Sequence, residues 1–243
     1  MEAIEVFTKF ALQCLDEKDN KLQLREQAFG YFSEISKILK SEMKPILARV
    51  LEEILKTCVS EDGMKVVTEN EGKKDFSLDS DSEEDGDRVA GIDIDTSFID
   101  EKSTAIHALG NIFMNCSTLC FPNLPQILKV LTDMAFYVHE NIRYHVCLTL
   151  TQIAFGLQRH FVNQPDTDAK FIWEAGLPTK SKLQPPVVEF LKDHLFPHFH
   201  ELFTSEKNKE VVEKVLECVR DLAEEWGPAA IEHNIQMIMT TCD

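Results

Sequence analysis

The stretch Lys102-Ser-Thr-Ala-Ile-His-Ala-Leu-Gly-Asn-Ile112 decides the fold class. It begins with a basic residue, and the apolar residues Ala105, Ile106, Leu109 and Ile112 follow at successive spacings of one, three and three. Those positions place the apolar side chains on one face of an α-helix, whereas a strand would require alternation. Apolar residues recur at helical spacing through most of the chain, in windows long enough to separate the two periods. We therefore predict an all-α protein.

The same pattern returns elsewhere in the chain. Apolar residues follow Arg25, Arg143 and Val212 at distances in the chain similar to those at which they follow Lys102. Lys102 and Arg143 are 41 residues apart, which lies within the period of HEAT and armadillo repeats. The other intervals are longer by about the lengths of two loops. We predict an α-solenoid of antiparallel helix pairs with a right-handed superhelix. A single irregular helical bundle would explain the helices but not the repeated position.

The predicted array contains two interruptions. Residues 61–96 form an acidic inserted loop, and residues 162–182 form a second loop that contains Pro165, Gly176 and Pro178. Pro197 is expected to kink the helix that follows, because proline removes a backbone hydrogen bond. The unpaired last half-repeat favours a segment of a longer array. The repeats cover about 1–40, 44–118, 121–161 and 183–227, with a half-repeat at 228–243.

The negative charge is unevenly distributed. The chain has 42 acidic and 25 basic residues, for a net charge of −17. Eleven acidic residues and one basic residue lie between Asp75 and Glu101, so this segment holds −10 of the total. Its centre lacks the apolar residues needed to offset the entropy of ordering. The acidic balance disfavours nucleic acid, whose phosphates require Lys or Arg, and favours basic partners.

The cysteines and the hydropathy pattern indicate the compartment. Seven cysteines are scattered through apolar segments without a CxxC pair, which is typical of buried thiols in a reducing environment. The N-terminal sequence has no basic region followed by an apolar run, and no run of about 18 apolar residues occurs. We expect neither a signal peptide nor a membrane span.

Three motifs carry a resemblance to a known family. They are the acidic run Asp79-Ser-Asp-Ser-Glu-Glu-Asp85, the helix start from Thr96 to Lys102, and Asn141-Ile-Arg-Tyr-His-Val146. Together they resemble the karyopherin-β nuclear transport receptors, closest to the importin-4 and importin-5 branch. In that branch an acidic stretch precedes a helix start of this type. The third motif is similar to the family's HEAT-repeat signature.

The resemblance implies a function and a set of partners. It implies a receptor that binds basic cargo, such as histones or ribosomal proteins, and carries it through the nuclear pore. Further implied partners are Phe-Gly nucleoporins and the GTPase Ran, with the main Ran site in repeats outside this chain. The implied location is cytoplasm and nucleus, with shuttling between them. No cofactor, membrane or nucleic acid is implied.

One predicted helix carries the candidate cargo-binding residues. In a HEAT array the second helix of each pair lines the inner surface, and the helix from Lys209 to Trp226 is such a helix. Its carboxylates recur at spacings of three and four, on one stripe, at Glu210, Glu213, Glu217, Asp221 and Glu224. A basic ligand would relieve their mutual repulsion, although an ordinary solvated acidic face has the same pattern. Trp226 could stack on a cargo Arg or Lys, or pack at the helix end.

The acidic loop is a second candidate. It could attract basic cargo at long range or shield the inner face, or it could only increase solubility. Its candidate residues are Asp79, Asp81, Glu83, Glu84, Asp85 and Asp87. Ser80 and Ser82 each have an acidic residue three positions later, a pattern that suits an acid-directed kinase.

The sequence gives little support for metal binding or catalysis. His194, His198 and His200 lack the additional ligands expected of a zinc site, so we predict no metal. No catalytic motif occurs, and we predict that the chain is not an enzyme. Two further functions remain open: a HEAT-repeat scaffold and a histone-chaperone-like interaction module, both without transport activity.

Overall fold

In a computed structural model, residues 2–16, 22–61, 63–68, 89–162 and 183–231 are described. Helices dominate these ranges, as the apolar spacing predicts. The helices are α1 Glu2–Asp16, α2 Leu22–Leu39, α3 Lys44–Val59, α4 Thr96–Asn115, α5 Ser117–Cys120, α6 Leu124–Met134, α7 Glu140–Phe161, α8 Pro185–Phe190, α9 Phe196–Ser205 and α10 Lys209–Trp226.

The helices are arranged as consecutive pairs. The pairs are α1 with α2, α3 with α4, α6 with α7, and α9 with α10. The second helices stack side by side in chain order, because α4 packs against both α2 and α7, and α7 packs against α10. This arrangement is an α-solenoid of HEAT repeats, so the predicted fold class is confirmed.

The predicted core positions are buried in the first three repeats. Each apolar residue of the repeated pattern there is at most 6% exposed: Ala28, Phe29, Phe32, Ile35, Ala105, Ile106, Leu109, Ile112, Val146, Cys147, Leu150 and Ile153. In α10, Val215 and Leu222 are fully buried, but Leu216 is 55% exposed. The repeated pattern is therefore only partly buried in α10.

In the first three repeats, the repeated basic residue ties the two helices of the repeat together. In α4 the Nζ of Lys102 donates to the carbonyl oxygens of Cys58 at 2.9 Å and Ser60 at 2.7 Å, at the end of α3. In α7 the Nη1 of Arg143 donates to the carbonyls of Tyr137 at 2.7 Å and Val138 at 3.0 Å, just beyond α6. A cation at the carboxyl end of a helix satisfies carbonyls that lack a helical partner and suits the helix dipole.

The same basic residues also reach the following repeat. Arg25, whose Nη1 donates to the carbonyl of Leu15 in α1, donates through Nε to Oε1 of Glu101 in α4 at 2.8 Å. The Nζ of Lys102 lies 4.8 Å from the ring centroid of Tyr137. The recurrence seen in the sequence is therefore structural: it joins the two helices of a repeat and links that repeat to the next.

Glycines allow α4 and α7 to approach closely. A Cβ added to Gly110 would lie 3.0 Å from the Cα of Thr149 and would collide with the side chain of Gln152. Beside this contact, the amide of Gln152 donates to Oδ1 of Asn111 at 2.8 Å, and the amide of Asn111 donates to Oγ of Ser33 at 2.8 Å. A polar ladder therefore runs through the buried interface of α2, α4 and α7, with its hydrogen bonds formed across repeats.

The first predicted loop contains regular structure at its ends. Strand β1, Met64–Thr68, pairs antiparallel with strand β2, Val89–Ile94, and Met64 lies opposite Ile94. Asp95 then caps α4, since its side chain accepts a hydrogen bond from the backbone N–H of Ser97 at 2.9 Å. The acidic loop predicted over residues 61–96 thus contains two paired strands, which bring its two ends together. Residues 69–88 lie outside the described residues.

Two other predicted breaks can be located in part. Before Pro197 the chain forms a π-helical turn, Leu191–Leu195, and α9 begins at Phe196. The predicted helix from Pro185 is thus interrupted next to that proline. The loop 163–182 and the half-repeat beyond residue 231 lie outside the described residues. None of the helices in the described ranges combines the length and apolar character needed to cross a lipid bilayer.

Candidate functional site

An acidic groove lies between the N-terminal ends of α7 and α10. Its volume is about 510 Å³. The lining side chains come from the approach to each helix and from its first turns, and they are His139, Glu140, Asn141, Tyr144, Asn208, Glu210, Val211, Glu213, Lys214 and Glu217. We call this surface the acidic groove.

Two helix caps fix the ends of the groove. The Nδ1 of His139 accepts a hydrogen bond from the backbone N–H of Asn141 at 3.2 Å and caps α7. The Oδ1 of Asn208 accepts from the backbone N–H of Glu210 at 2.9 Å and caps α10. The positive ends of both helix dipoles therefore stabilise carboxylates in this region, including Glu140 in the first turn of α7.

Glu210 and Glu213 provide the accessible negative charge of the groove. Both are exposed, and neither forms an ion pair within 4.0 Å in the described part of the chain. Glu217 is already paired with Lys214 one turn earlier on α10, and this hydrogen bond lowers the pKa of the Glu217 carboxyl. Two carboxylates of the groove therefore have no cationic partner among the described residues.

An aromatic ring forms a seat for a cation beside these carboxylates. The Nζ of Lys214 lies 4.7 Å from the ring centroid of Tyr144, within the range of a cation–π interaction. Burial lowers the pKa of the Lys214 ammonium, but hydrogen bonds to Glu217 and Tyr144 outweigh burial and hold the pKa above its usual value. Lys214 is therefore charged, and its side chain is only 14% exposed.

The structure divides the predicted acidic stripe into two parts. Glu210, Glu213 and Glu217 line the groove. Asp221 and Glu224 lie further along α10, outside that lining, and both face Arg220: its Nη2 is 2.9 Å from Oδ1 of Asp221, and its Nε is 3.8 Å from Oε1 of Glu224. The second part of the stripe is therefore partly neutralised within the helix.

The assignment of Trp226 to the cargo-binding set is corrected. Its side chain is 5% exposed, and its ring packs edge-on against Phe155 with the centroids 5.0 Å apart. Because a ring must present at least one face to the ligand, a ring buried in the interface of α7 and α10 cannot hold a cargo cation.

The acidic loop can be placed only at its base. The predicted residues Asp79, Asp81, Glu83, Glu84, Asp85 and Asp87, together with Ser80 and Ser82, lie outside the described residues. At the end of the same acidic segment, Glu101 is 4% exposed and is bound by Arg25. Glu101 therefore belongs to a repeat interface and adds little to an external negative field.

The side chains that α7 contributes to the groove were not predicted from the sequence. Glu140 and Tyr144 face the α10 carboxylates, but they belong to the preceding repeat and are about 70 residues away in the chain. A large aromatic residue in the first turns of a second helix was the available signal.

One of the three histidines considered as metal ligands, His198, is buried, and its Nε2 lies 3.7 Å from Sγ of Cys147. No cluster of three metal-binding side chains occurs within the described ranges.

Comparison with known proteins gives similarities to solved structures. No protein-family model matches the chain, and no curated protein matches it. The crystal structure of Kap121p is similar with a TM-score of 0.48 at 14% identity, over 99% of this chain. The crystal structures of Kap121p bound to Pho4p and of Kap121p bound to Nup53p, both at 14% identity, give TM-scores of 0.48 and 0.45 over 99% of this chain. The chain spans 23% of the length of each of these Kap121p chains.

Proposed function

We propose that this chain is a segment of a nuclear import receptor of the karyopherin-β type, closest to the importin-4 and importin-5 branch, and that it binds basic cargo in the acidic groove. The observation that carries the proposal is the convergence of Glu140, Glu210 and Glu213 around Tyr144, on two neighbouring second helices. A solenoid presents such surfaces in series, so a long basic segment can contact several repeats at once.

The chemistry of the groove matches Lys and Arg side chains. Carboxylates supply Coulombic attraction and accept hydrogen bonds, while the Tyr144 ring attracts a cation and packs against its methylene groups. At the surface such attraction is moderate and salt-dependent. Affinity therefore arises from several weak contacts along an extended segment, which suits a receptor that must later release its cargo.

The wider transport function follows from the sequence resemblance. Histones and ribosomal proteins are the expected cargo class, because both are strongly basic. We also propose Phe-Gly nucleoporins as partners, Ran as the release factor through repeats outside this chain, and shuttling between cytoplasm and nucleus. The hairpin of β1 and β2 would tether the acidic segment 69–88 to the array, where its charge would raise the local concentration of basic ligands.

Two other functions predict different behaviour. A static HEAT scaffold would bind partners regardless of their basic charge and would have no affinity for Phe-Gly repeats. A histone chaperone would share the acidic chemistry but would not respond to Ran. If the full-length protein is a chaperone, adding Ran-GTP should not release its bound ligand. Binding in all three cases requires no catalytic residue.

The experiment is a titration of the chain with a fluorescent Lys-rich histone-tail peptide and with the same peptide acetylated at its lysines. We expect binding of the first peptide that weakens steadily as salt is raised, and at least about tenfold weaker binding of the second. Equal binding of the two peptides, or binding that is indifferent to salt, would contradict electrostatic recognition and favour the scaffold.

A further inference from the structure

We infer that Lys214 is an internal occupant of the cation seat in the acidic groove, and that a basic ligand must displace it in order to bind. This inference rests on the proposed function and adds a mode of regulation to the same site. The seat consists of the Tyr144 ring and the Glu217 carboxylate, and the Lys214 ammonium contacts both. The protein's own side chain thus shows which chemical group the seat accepts.

The contact belongs to the site and not to the core of the repeat. Lys214 and Tyr144 both line the groove, on opposite sides of it, so their interaction closes the space between α7 and α10. The core beneath is formed by buried apolar residues of α10, such as Val215 and Cys218, which do not depend on the ammonium. Removing the contact would therefore open the groove without removing the packing that holds α10 in place.

Displacement is physically accessible to Lys214. Its partner Glu217 is one turn away on the same helix and its side chain is 46% exposed, so water or a second cation can reach this carboxylate and replace the Lys214 ammonium there. Glu210, four residues earlier on α10, lies on the same helix face and provides a second carboxylate for the displaced ammonium. The side chain can thus exchange one carboxylate for another while the Tyr144 ring becomes free.

This exchange determines which ligands bind well. A ligand with one isolated Lys would replace an equivalent internal contact and would gain little. A ligand with two or more neighbouring basic side chains would take the seat with one and bind Glu213 or Glu140 with another. Arg should displace Lys214 more readily than Lys does, since its planar guanidinium stacks on an aromatic ring and binds a carboxylate through two hydrogen bonds. The groove would therefore select clustered, Arg-containing basic segments.

The test compares Lys214→Met with Lys209→Met, using a Lys/Arg-rich histone-tail peptide as the probe. Both variants remove one positive charge from α10, but Lys209 is exposed and does not line the groove. We expect the affinity of the peptide to rise about fivefold in Lys214→Met and less than twofold in Lys209→Met. If the affinity rises equally in both variants, the loss of one positive charge explains the rise, and the inference is overturned.

Tyr144 provides the second arm of the test. In the Lys214→Met background, Tyr144→Leu should remove most of the gain in affinity, whereas Tyr144→Phe should keep it because the ring remains. A gain that persists in Lys214→Met/Tyr144→Leu would overturn the inference, even if the wild-type chain binds the peptide as proposed. If no variant binds the basic peptide at any salt concentration, the proposed function itself fails. Circular dichroism verifies that each variant is folded.

Discussion

The guanidinium of Arg143 holds the carboxylate of Glu206 through two hydrogen bonds, from Nε to Oε2 at 2.6 Å and from Nη2 to Oε1 at 3.0 Å. The Glu206 carboxylate also accepts hydrogen bonds from the backbone N–H groups of Lys207 and Asn208, both at 2.9 Å. Since Asn208 caps α10, this network fixes the N-terminal end of α10 relative to α7. The ion pair therefore positions the two walls of the acidic groove.

Replacing Arg143 by Met should destabilise the fold. The side chain of Glu206 is 6% exposed, so the substitution leaves a buried carboxylate without its cation, which costs about 3 kcal/mol in the free energy of unfolding. Urea denaturation followed by circular dichroism measures the change. As a control, Lys37→Met removes the exposed pair with Glu34 and should cost less than about 0.5 kcal/mol. Equal effects of the two substitutions would show that the Arg143 pair has no special structural role.

His198 should make stability dependent on pH in the acidic range. Burial lowers the pKa of its imidazole from 6.5 to about 4, and its Nδ1 has no hydrogen-bond partner. The neutral form is thus favoured in the folded state, so its stabilisation is complete above pH 6.5 and is lost as pH falls from 6.5 toward 4. His145, whose pKa burial likewise lowers to about 4, contributes in the same range.

The measurement is the free energy of unfolding at pH 7.5 and at pH 5, for wild type and for His198→Leu. The wild type should lose roughly 1 to 2 kcal/mol more than the variant on acidification, because the variant has no imidazole to protonate at this position. His194→Leu, at an exposed site, is the control for the loss of a histidine. An unchanged pH dependence in His198→Leu would rule out His198 as a source of the effect.

A matched pair of glycine substitutions tests the close approach of α4 and α7. Gly110→Ala should destabilise the protein by about 1 to 3 kcal/mol, because the new methyl group meets Gln152 and the backbone of Thr149. Gly30→Ala should instead stabilise α2 by about 0.5 to 1 kcal/mol, since no atom lies within 4 Å of the added Cβ. Thermal denaturation of both variants gives opposite shifts if the interface is as tight as the glycines indicate.

The acidic segment should act on the rate of association. Replacing Asp79, Asp81, Glu83, Glu84, Asp85 and Asp87 by Ser removes long-range attraction, so the association rate constant of a Lys-rich peptide should fall about threefold or more at low salt. The dissociation rate constant should change little, because the contacts in the groove remain. Stopped-flow fluorescence separates the two constants. A change confined to dissociation would mean that the segment contacts the bound ligand directly.

Much of the fold can be predicted from the sequence because helical periodicity is a local property. The apolar spacing after Lys102 predicts both the helix and its buried face, and the repeat of that spacing predicts the stacking of pairs. The role of Arg143 could not be predicted in the same way, since its partner Glu206 lies 63 residues later in the next repeat. The strands β1 and β2 were missed because a short hairpin beside an acidic run has too little apolar patterning to stand out.

The candidate site could be predicted only in part, for a related reason. A stripe of carboxylates on α10 is visible from spacing alone, but the effect of Arg220 on Asp221 and Glu224 depends on side-chain geometry. The burial of Trp226 depends on its contact with Phe155 in another helix. Tyr144 enters the site for the same reason, because the packing of α7 beside α10 decides which faces meet.

The most direct measurement compares two charge-matched double variants in a binding titration with the Lys-rich histone-tail peptide. Glu210→Gln/Glu213→Gln removes the two unpaired carboxylates of the acidic groove, whereas Glu189→Gln/Glu201→Gln removes two exposed carboxylates on α8 and α9, outside the groove lining. Binding of basic cargo in the groove predicts at least about a tenfold rise in Kd for the first variant and less than about a twofold rise for the second. Equal weakening by both variants, or no weakening by the first, would contradict it.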